Sequence, residues 1–124
     1  MIKTEIIQQQ LNLNLDSTVV KKLENFEKFF LEYNSHTNLM SRNDCSVLFE
    51  KHIIDSLSIV KWSDFNPETI LDVGAGGGFP SVILAICFPC IKIFAADSRI
   101  KKINFLNYIK DKLELNNLSV VYSR

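Results

Sequence analysis

One stretch constrains this chain more than any other. Thr69-Ile70-Leu71-Asp72-Val73 runs into Gly74-Ala75-Gly76-Gly77-Gly78 and then into Phe79-Pro80. All 4 glycines of the chain fall in that turn. Glycine loses more conformational freedom on folding than any other residue, so such a cluster is destabilising unless the backbone must turn tightly or approach a ligand. The apolar run before it predicts a short strand. Ser81 to Phe88 predicts a helix, with Pro80 suited to its first turn and Pro89 to stopping it.

The pattern then repeats. Ile91 to Asp97 predicts a second strand. Arg99 to Leu115 predicts a second helix, with Ile100, Ile103, Leu106, Ile109 and Leu113 on its apolar stripe. Asn116-Asn117 turns the chain, and Leu118 to Tyr122 predicts a third strand. A β-α-β-α-β order implies an α/β fold with a parallel sheet and right-handed crossovers. Only about three strands are present, half of a doubly wound sheet.

Ahead of Asn66-Pro67 the periodicity is helical throughout. Asp16-Ser17 offers an N-cap. Val19, Val20, Leu23, Phe26, Phe29, Phe30 and Tyr33 then recur at three- and four-residue steps as one apolar stripe. Asn34 to Arg42 reads as a polar loop. Asn43 or Asp44 caps a further helix reaching about Val60. The expected organisation is therefore a helical region over 1–66 and an α/β region over 67–124. A parallel sheet wants helices on both faces, and the N-terminal helices are candidates to cover part of the second face.

Composition narrows the function classes. Apolar residues make up 47% of the 124 residues, enough for a real core. Fourteen basic and fourteen acidic residues cancel, which argues against a general nucleic-acid binder with a net positive field. No apolar run approaches the ~20 residues of a membrane span, and the first residues do not resemble a secretion signal. The 3 cysteines form no disulfide framework, so a reducing cytoplasm is the expected setting. Cys87 and Cys90 have C-x-x-C spacing, but at a helix C-terminus, where the dipole disfavours a thiolate. No ligand set for zinc is present. The expectation is no metal and no membrane.

A strand, glycine turn and helix can serve two ligand classes. Dinucleotides place a pyrophosphate there over G-x-G-x-x-G. S-adenosylmethionine, which has no phosphate, sits over acid-x-G-x-G-x-G. Asp72, Gly74, Gly76 and Gly78 match the second pattern at every specified position. The first, started at Gly74, fails at Phe79, and started at Gly76 it ends on Ser81. A carboxylate at position 72 would repel a pyrophosphate and attract a methionyl ammonium. The expected cofactor is S-adenosylmethionine, held by Asp72, Gly74, Ala75, Gly76, Gly78, Phe79, Asp97 and Ser98. Asp97 ends the second strand about twenty residues past the turn, where an acid accepts bonds from ribose hydroxyls. Its alternative role is a cap on the next helix.

Two further clusters stand out. His52, Asp55 and Ser56 share one helix, with His52 and Asp55 on one face. They read either as a polar wall near the reacting groups or as a pair anchoring the helix. Arg99, Lys101 and Lys102 crowd a helix N-terminus, where positive charge is mildly unfavourable. A nearby phosphate backbone would explain them, and so would a plain solvated face. Lys21 and Lys22 read as surface.

Taken together, these residues resemble the glucose-inhibited division protein B family of bacterial methyltransferases. The matching stretches are Asn38-Leu39, His52-Ile53-Ile54-Asp55-Ser56-Leu57, Leu71 to Pro80, Asp97-Ser98, Lys101-Lys102, Phe105-Leu106 and Ser123-Arg124. They span about residues 20 to 124. The resemblance implies the N-terminal portion of a longer, monomeric chain with a Rossmann-like methyltransferase fold. It implies methyl transfer from S-adenosylmethionine to guanine N7 of 16S ribosomal RNA, with the RNA or ribosomal particle as partner. Arg99, Lys101, Lys102 and Arg124 are the candidate RNA contacts. The chain departs from the family pattern at Lys51, where Arg is frequent, at Ser81, where Gly is frequent, and at Lys102, where Arg is frequent. Readings from other classes are a nicotinamide-dependent oxidoreductase fragment and a non-catalytic RNA-binding fragment.

Overall fold

The computed structural model describes residues 8, 9, 11, 14–39, 51–61 and 65–123. The candidate caps Asn43 and Asp44 and the terminal Arg124 lie outside the described residues. In chain order the elements are helix α1 (Ser17–Thr37), helix α2 (51–57, running into a 3-10 turn at Ser58–Lys61), strand β1 (Thr69–Val73), helix α3 (Ser81–Cys87), strand β2 (Lys92–Asp97), helix α4 (Ile100–Leu113) and strand β3 (Leu118–Tyr122).

The strands form one parallel sheet in the order β1-β2-β3. Its register pairs Leu71 with Phe94 and Val73 with Ala96, then Phe94 with Ser119 and Ala96 with Val121. The chain is thus α/β with three parallel strands and flanking helices, as the alternation of periods predicts.

Asp16 caps α1, accepting a bond from the Val19 amide at 2.9 Å. The helix does not end near Tyr33 as expected. It continues to Thr37 and closes at Asn38, which adopts a left-handed φ of 55°. No glycine or proline interrupts Asn34, Ser35 and His36, so their polarity marks the solvent side of a last turn, not a loop. The end of α4 follows the same logic. It stops at Leu113 because Glu114 turns left-handed, at φ 54°. The Asn117 side-chain amide then bonds the carbonyls of Ala85, Phe88 and Ile91, tying the last turn to the α3–β2 connection.

The core lies on one side of the sheet. Leu23, Phe26 and Phe30 from α1 and Ile53 and Leu57 from α2 are fully buried with Ile83, Ile93, Phe105 and Leu106. Aromatic edges organise it. The Phe30 ring meets Phe105 edge-on at 5.4 Å and Phe79 at 5.8 Å. Each such pair adds roughly 0.5–1.5 kcal/mol beyond area burial.

The N-terminal helices therefore do not cover the second face. α1 packs on α3 and α4, which already line the first. Leu71 and Val73 are 64% and 76% exposed on the opposite side, beside Val121. The strand order β1-β2-β3 advances in one direction, so two right-handed crossovers put α3 and α4 on the same face, and α1 packs on them there. Among the described residues, no helix is long and apolar enough to cross a membrane.

Candidate cofactor site

The glycine turn sits at the carboxyl end of β1, between the ends of β1 and β2. Gly74, Gly76 and Gly78 all have positive φ, at 75°, 53° and 91°. This explains their alternate spacing, because L side chains rarely adopt that conformation. At Gly78 a Cβ would also stand 2.5 Å from Val82 Cγ2. Gly77 is packed from behind by Phe30, whose Cε2 lies 3.2 Å from where a Cβ would be.

Four of the turn's amides are already bonded within the protein. Gly74 and Ala75 both donate to the Ala96 carbonyl, at 2.8 and 3.0 Å. Gly76 donates to Asp97 Oδ2 at 2.9 Å, and Gly78 donates to the Ala75 carbonyl at 2.8 Å. The turn is closed on itself and on the end of β2. It presents a shaped backbone surface where a phosphate site would present a fan of donors.

Two carboxylates flank that surface, in opposite electrostatic states. Asp72 Oδ2 accepts the Ser81 amide at 3.1 Å, serving the start of α3, where Pro80 offers no side-chain cap. Pro80, which follows a cis peptide bond from Phe79, is the N-cap residue, and the helix opens at Ser81 as expected. Burial raises the Asp72 carboxyl above its ordinary value and the charge of Asp97 adds to this, while bonding from Ser81 opposes it. Asp97 is buried but surrounded by donors. The Arg99 side chain holds its carboxyl well below the usual carboxylate range, and the Arg99 and Gly76 amides reinforce that against burial.

Asp97 is not the helix cap that was its alternative role, because α4 is N-capped by Arg99 with no side-chain capping bond. Its Oδ1 accepts the Arg99 amide at 2.9 Å, a local bond just ahead of the helix. It also faces the glycine turn through Gly76. Gly74, Asp97, Ser98 and Arg99 border a 690 Å³ concavity that extends over Leu71 and Val73 on the open face of the sheet.

His52, Asp55 and Ser56 lie elsewhere. With Ile59, Phe79 and Pro80 they line a separate 280 Å³ hollow at the exit of the turn. The His52 ring rests on Phe79, with centroids 5.1 Å apart. Among the described residues no hydrogen bond joins His52 to Asp55, and Ser56 spends its hydroxyl on the His52 carbonyl at 2.7 Å. The helix is anchored by the apolar burial of Ile53 and Leu57 instead.

The basic cluster also has local partners. Lys101 Nζ reaches the Asn38 carbonyl at 3.4 Å, and Lys102 Nζ the Leu39 carbonyl at 3.1 Å. Both serve the open carbonyl end of α1, the negative end of its dipole. Their placement at the start of α4 therefore has a structural reason that periodicity along α4 alone does not reveal. Burial lowers the Lys102 pKa, helped by the charges of Arg99 and Lys101. Burial pushes the Cys87 thiol up to about 12, so no reactive thiolate arises there. Among the described residues no cluster of three metal-ligating side chains forms.

The comparison with known proteins bears on all of this. Residues 19–124 match the family described as rRNA small subunit methyltransferase G. The chain belongs to the rRNA small subunit methyltransferase G family. A ribosomal RNA small subunit methyltransferase G from Bacillus cytotoxicus is 43% identical over 108 residues, covering 84% of this chain and 45% of the relative. Those from Bacillus thuringiensis and Bacillus cereus are 42% identical over the same length, with the same coverage. The chain spans less than half the length of the curated relatives it matches. For this member of the methyltransferase G family, sequence reasoning found the two carboxylates and the glycines. It missed the Arg99 fork on Asp97 and the Phe30 buttress behind Gly77. The first was signalled by an Asp-Ser-Arg run at a strand end, the second by a Phe at the end of the α1 stripe.

Proposed function

We propose that this chain is the cofactor-binding portion of an S-adenosylmethionine-dependent methyltransferase acting on guanine N7 of 16S ribosomal RNA in the cytoplasm. The observation that carries the cofactor is the closed turn. With the Gly74, Ala75, Gly76 and Gly78 amides bonded internally and two carboxylates beside them, the site lacks what a pyrophosphate needs. It suits a ligand with a cationic amine and a ribose diol. The names of the curated relatives support the RNA substrate.

S-adenosylmethionine supplies an electrophilic methyl group on a sulfonium. Guanine N7 carries a lone pair at neutral pH. That lone pair could take the methyl group directly, with S-adenosylhomocysteine as the leaving group. No proton need be removed first, so the chemistry requires no general base. The chain's task is alignment, which supplies roughly 7–11 kcal/mol in favourable cases. Asp72 orients the methionyl ammonium. Asp97 receives the ribose. Gly74, Ala75, Gly76 and Gly78 let the ligand approach the backbone, and Phe79 and Ser98 border it. His52, Asp55 and Ser56, across Phe79, stand where a target base could be steered. Arg99, Lys101 and Lys102 form the basic margin for RNA phosphates, and Arg124 is assigned the same role from the sequence alone.

Calorimetric titration with S-adenosylmethionine and, separately, NADH tests this. Binding of the first alone is expected. Binding of NADH alone overturns the cofactor assignment. If the 124-residue chain binds neither, the same titration on a chain extended to the length of its relatives decides, and a second failure rejects the assignment.

A further inference from the structure

The Asp97 carboxylate is fully subscribed. Its two oxygens offer about four lone-pair positions, and four donors take them. Oδ1 accepts from the Arg99 amide and Arg99 Nε, both at 2.9 Å. Oδ2 accepts from the Gly76 amide at 2.9 Å and Arg99 Nη2 at 2.8 Å. A ribose diol has no acceptor left unless a donor departs. Two of the four are backbone amides, fixed by the turn and by the start of α4. The other two belong to one guanidinium whose side chain is 58% exposed while the carboxylate's side chain is 1% exposed. The same guanidinium overhangs the turn, with Nη2 3.6 Å from where a Gly76 Cβ would be.

We propose that Arg99 occupies the ribose subsite of the empty protein, its forked Nε and Nη2 donors standing where the two ribose hydroxyls bind, and that it sets cofactor affinity by having to leave. The inference rests on the cofactor assignment above and names the residue that competes at that site. The exchange is donor for donor. Two N–H bonds to Asp97 are lost and two O–H bonds are formed. The backbone amides keep their places and hold the carboxylate in position. Only the Arg99 side of the pair is open to solvent, so the guanidinium can leave into water while the ribose hydroxyls take over its bonds to the buried carboxylate, which makes Arg99 a moderate competitor and not a block. Released, the guanidinium stands on the solvent side of the cofactor next to Lys101, where a phosphate is a natural new partner.

The test is an Arg99→Leu variant of the intact chain, titrated with S-adenosylmethionine beside the wild type and Asp97→Asn. Removing the competitor is expected to tighten binding about three- to tenfold, while Asp97→Asn weakens it. A second readout follows the wild-type Arg99 Nε–H resonance in a 15N-labelled sample. It should be protected from exchange in the empty protein and lose that protection on saturation. Equal or weaker binding by Arg99→Leu, with the resonance unchanged on saturation, overturns the exchange and leaves the cofactor assignment standing if Asp97→Asn still weakens binding. If Arg99→Leu fails to fold, Arg99→Gln and the resonance decide by the same criteria. If no form binds S-adenosylmethionine, including one extended to the length of the relatives, the cofactor assignment fails and the exchange falls with it.

Discussion

The two faces of the sheet differ far more than their sequences do. On one face Ile93 and Leu118 are fully buried under α3 and α4, with α1 packed on those helices in turn. On the other, Leu71, Val73 and Val121 are equally apolar yet lie open. Hydrophobic character alone does not decide which side of a strand is covered. The topology decides it: with the order β1-β2-β3, right-handed crossovers place α3 and α4 on one side, and the aromatic stripe of α1 packs on that layer. The site inherits this asymmetry. Its turn is packed from the covered side by Phe30, while the concavity beside it spreads over the open side.

The largest expected effect breaks the covered face. Phe30 is fully buried between Phe26, Phe79 and Phe105 and backs Gly77. Phe30→Ala should cost about 3–5 kcal/mol, because a large cavity opens where surrounding rings cannot collapse. Denaturant unfolding measures it. Cofactor affinity should fall with it, since the turn loses its support. A loss below about 1 kcal/mol would mean that α1 does not pack here in solution.

A smaller effect, of opposite sign, comes from Ser81. Its hydroxyl is fully enclosed with no partner in hydrogen-bonding geometry, yet it stands close enough to Asp72 to lower that carboxyl's pKa, while its amide serves Asp72. An unpartnered buried hydroxyl costs about 1–3 kcal/mol. Ser81→Ala keeps the amide, removes the hydroxyl and favours the helix. It should raise stability by about 1 kcal/mol, read as a higher denaturation midpoint at unchanged slope. A drop in stability would mean that the hydroxyl bonds the Asp72 carboxylate, whose pKa it lowers.

What could be read from the sequence follows the range of the interactions involved. β1 and β3 lie where their apolar runs and flanking turns predict them, because both signals are local. The ends of α1 and α4 shifted by a few residues, because a left-handed cap at Asn38 or Glu114 carries no glycine to announce it. Asp72, Asp97 and the glycines were legible from spacing. The bonding that closes the turn was not, because the acceptor is the Ala96 carbonyl, brought alongside only by β1–β2 pairing. The partners of Lys101 and Lys102 were hidden for the same reason. They lie 63 positions away in the chain.

The smallest expected effect sharpens the contrast of the faces. Val73 is 76% exposed, opposite Ala96 in the register. Val73→Thr keeps the β-branch and nearly the same shape while adding a hydroxyl, which on an open face meets water. Stability should change by no more than about 0.5 kcal/mol, as for ordinary surface positions. The same exchange at Val82, fully buried on α3, would enclose a hydroxyl without a partner and should cost about 1–3 kcal/mol. Run side by side in denaturant, the pair measures the asymmetry directly. Equal losses at the two positions would mean that the Val73 face is covered in solution. Repeating the Val73 measurement over a range of protein concentrations then identifies the cover: a loss that grows with concentration comes from a second copy of the chain, and a constant loss comes from the chain's own residues.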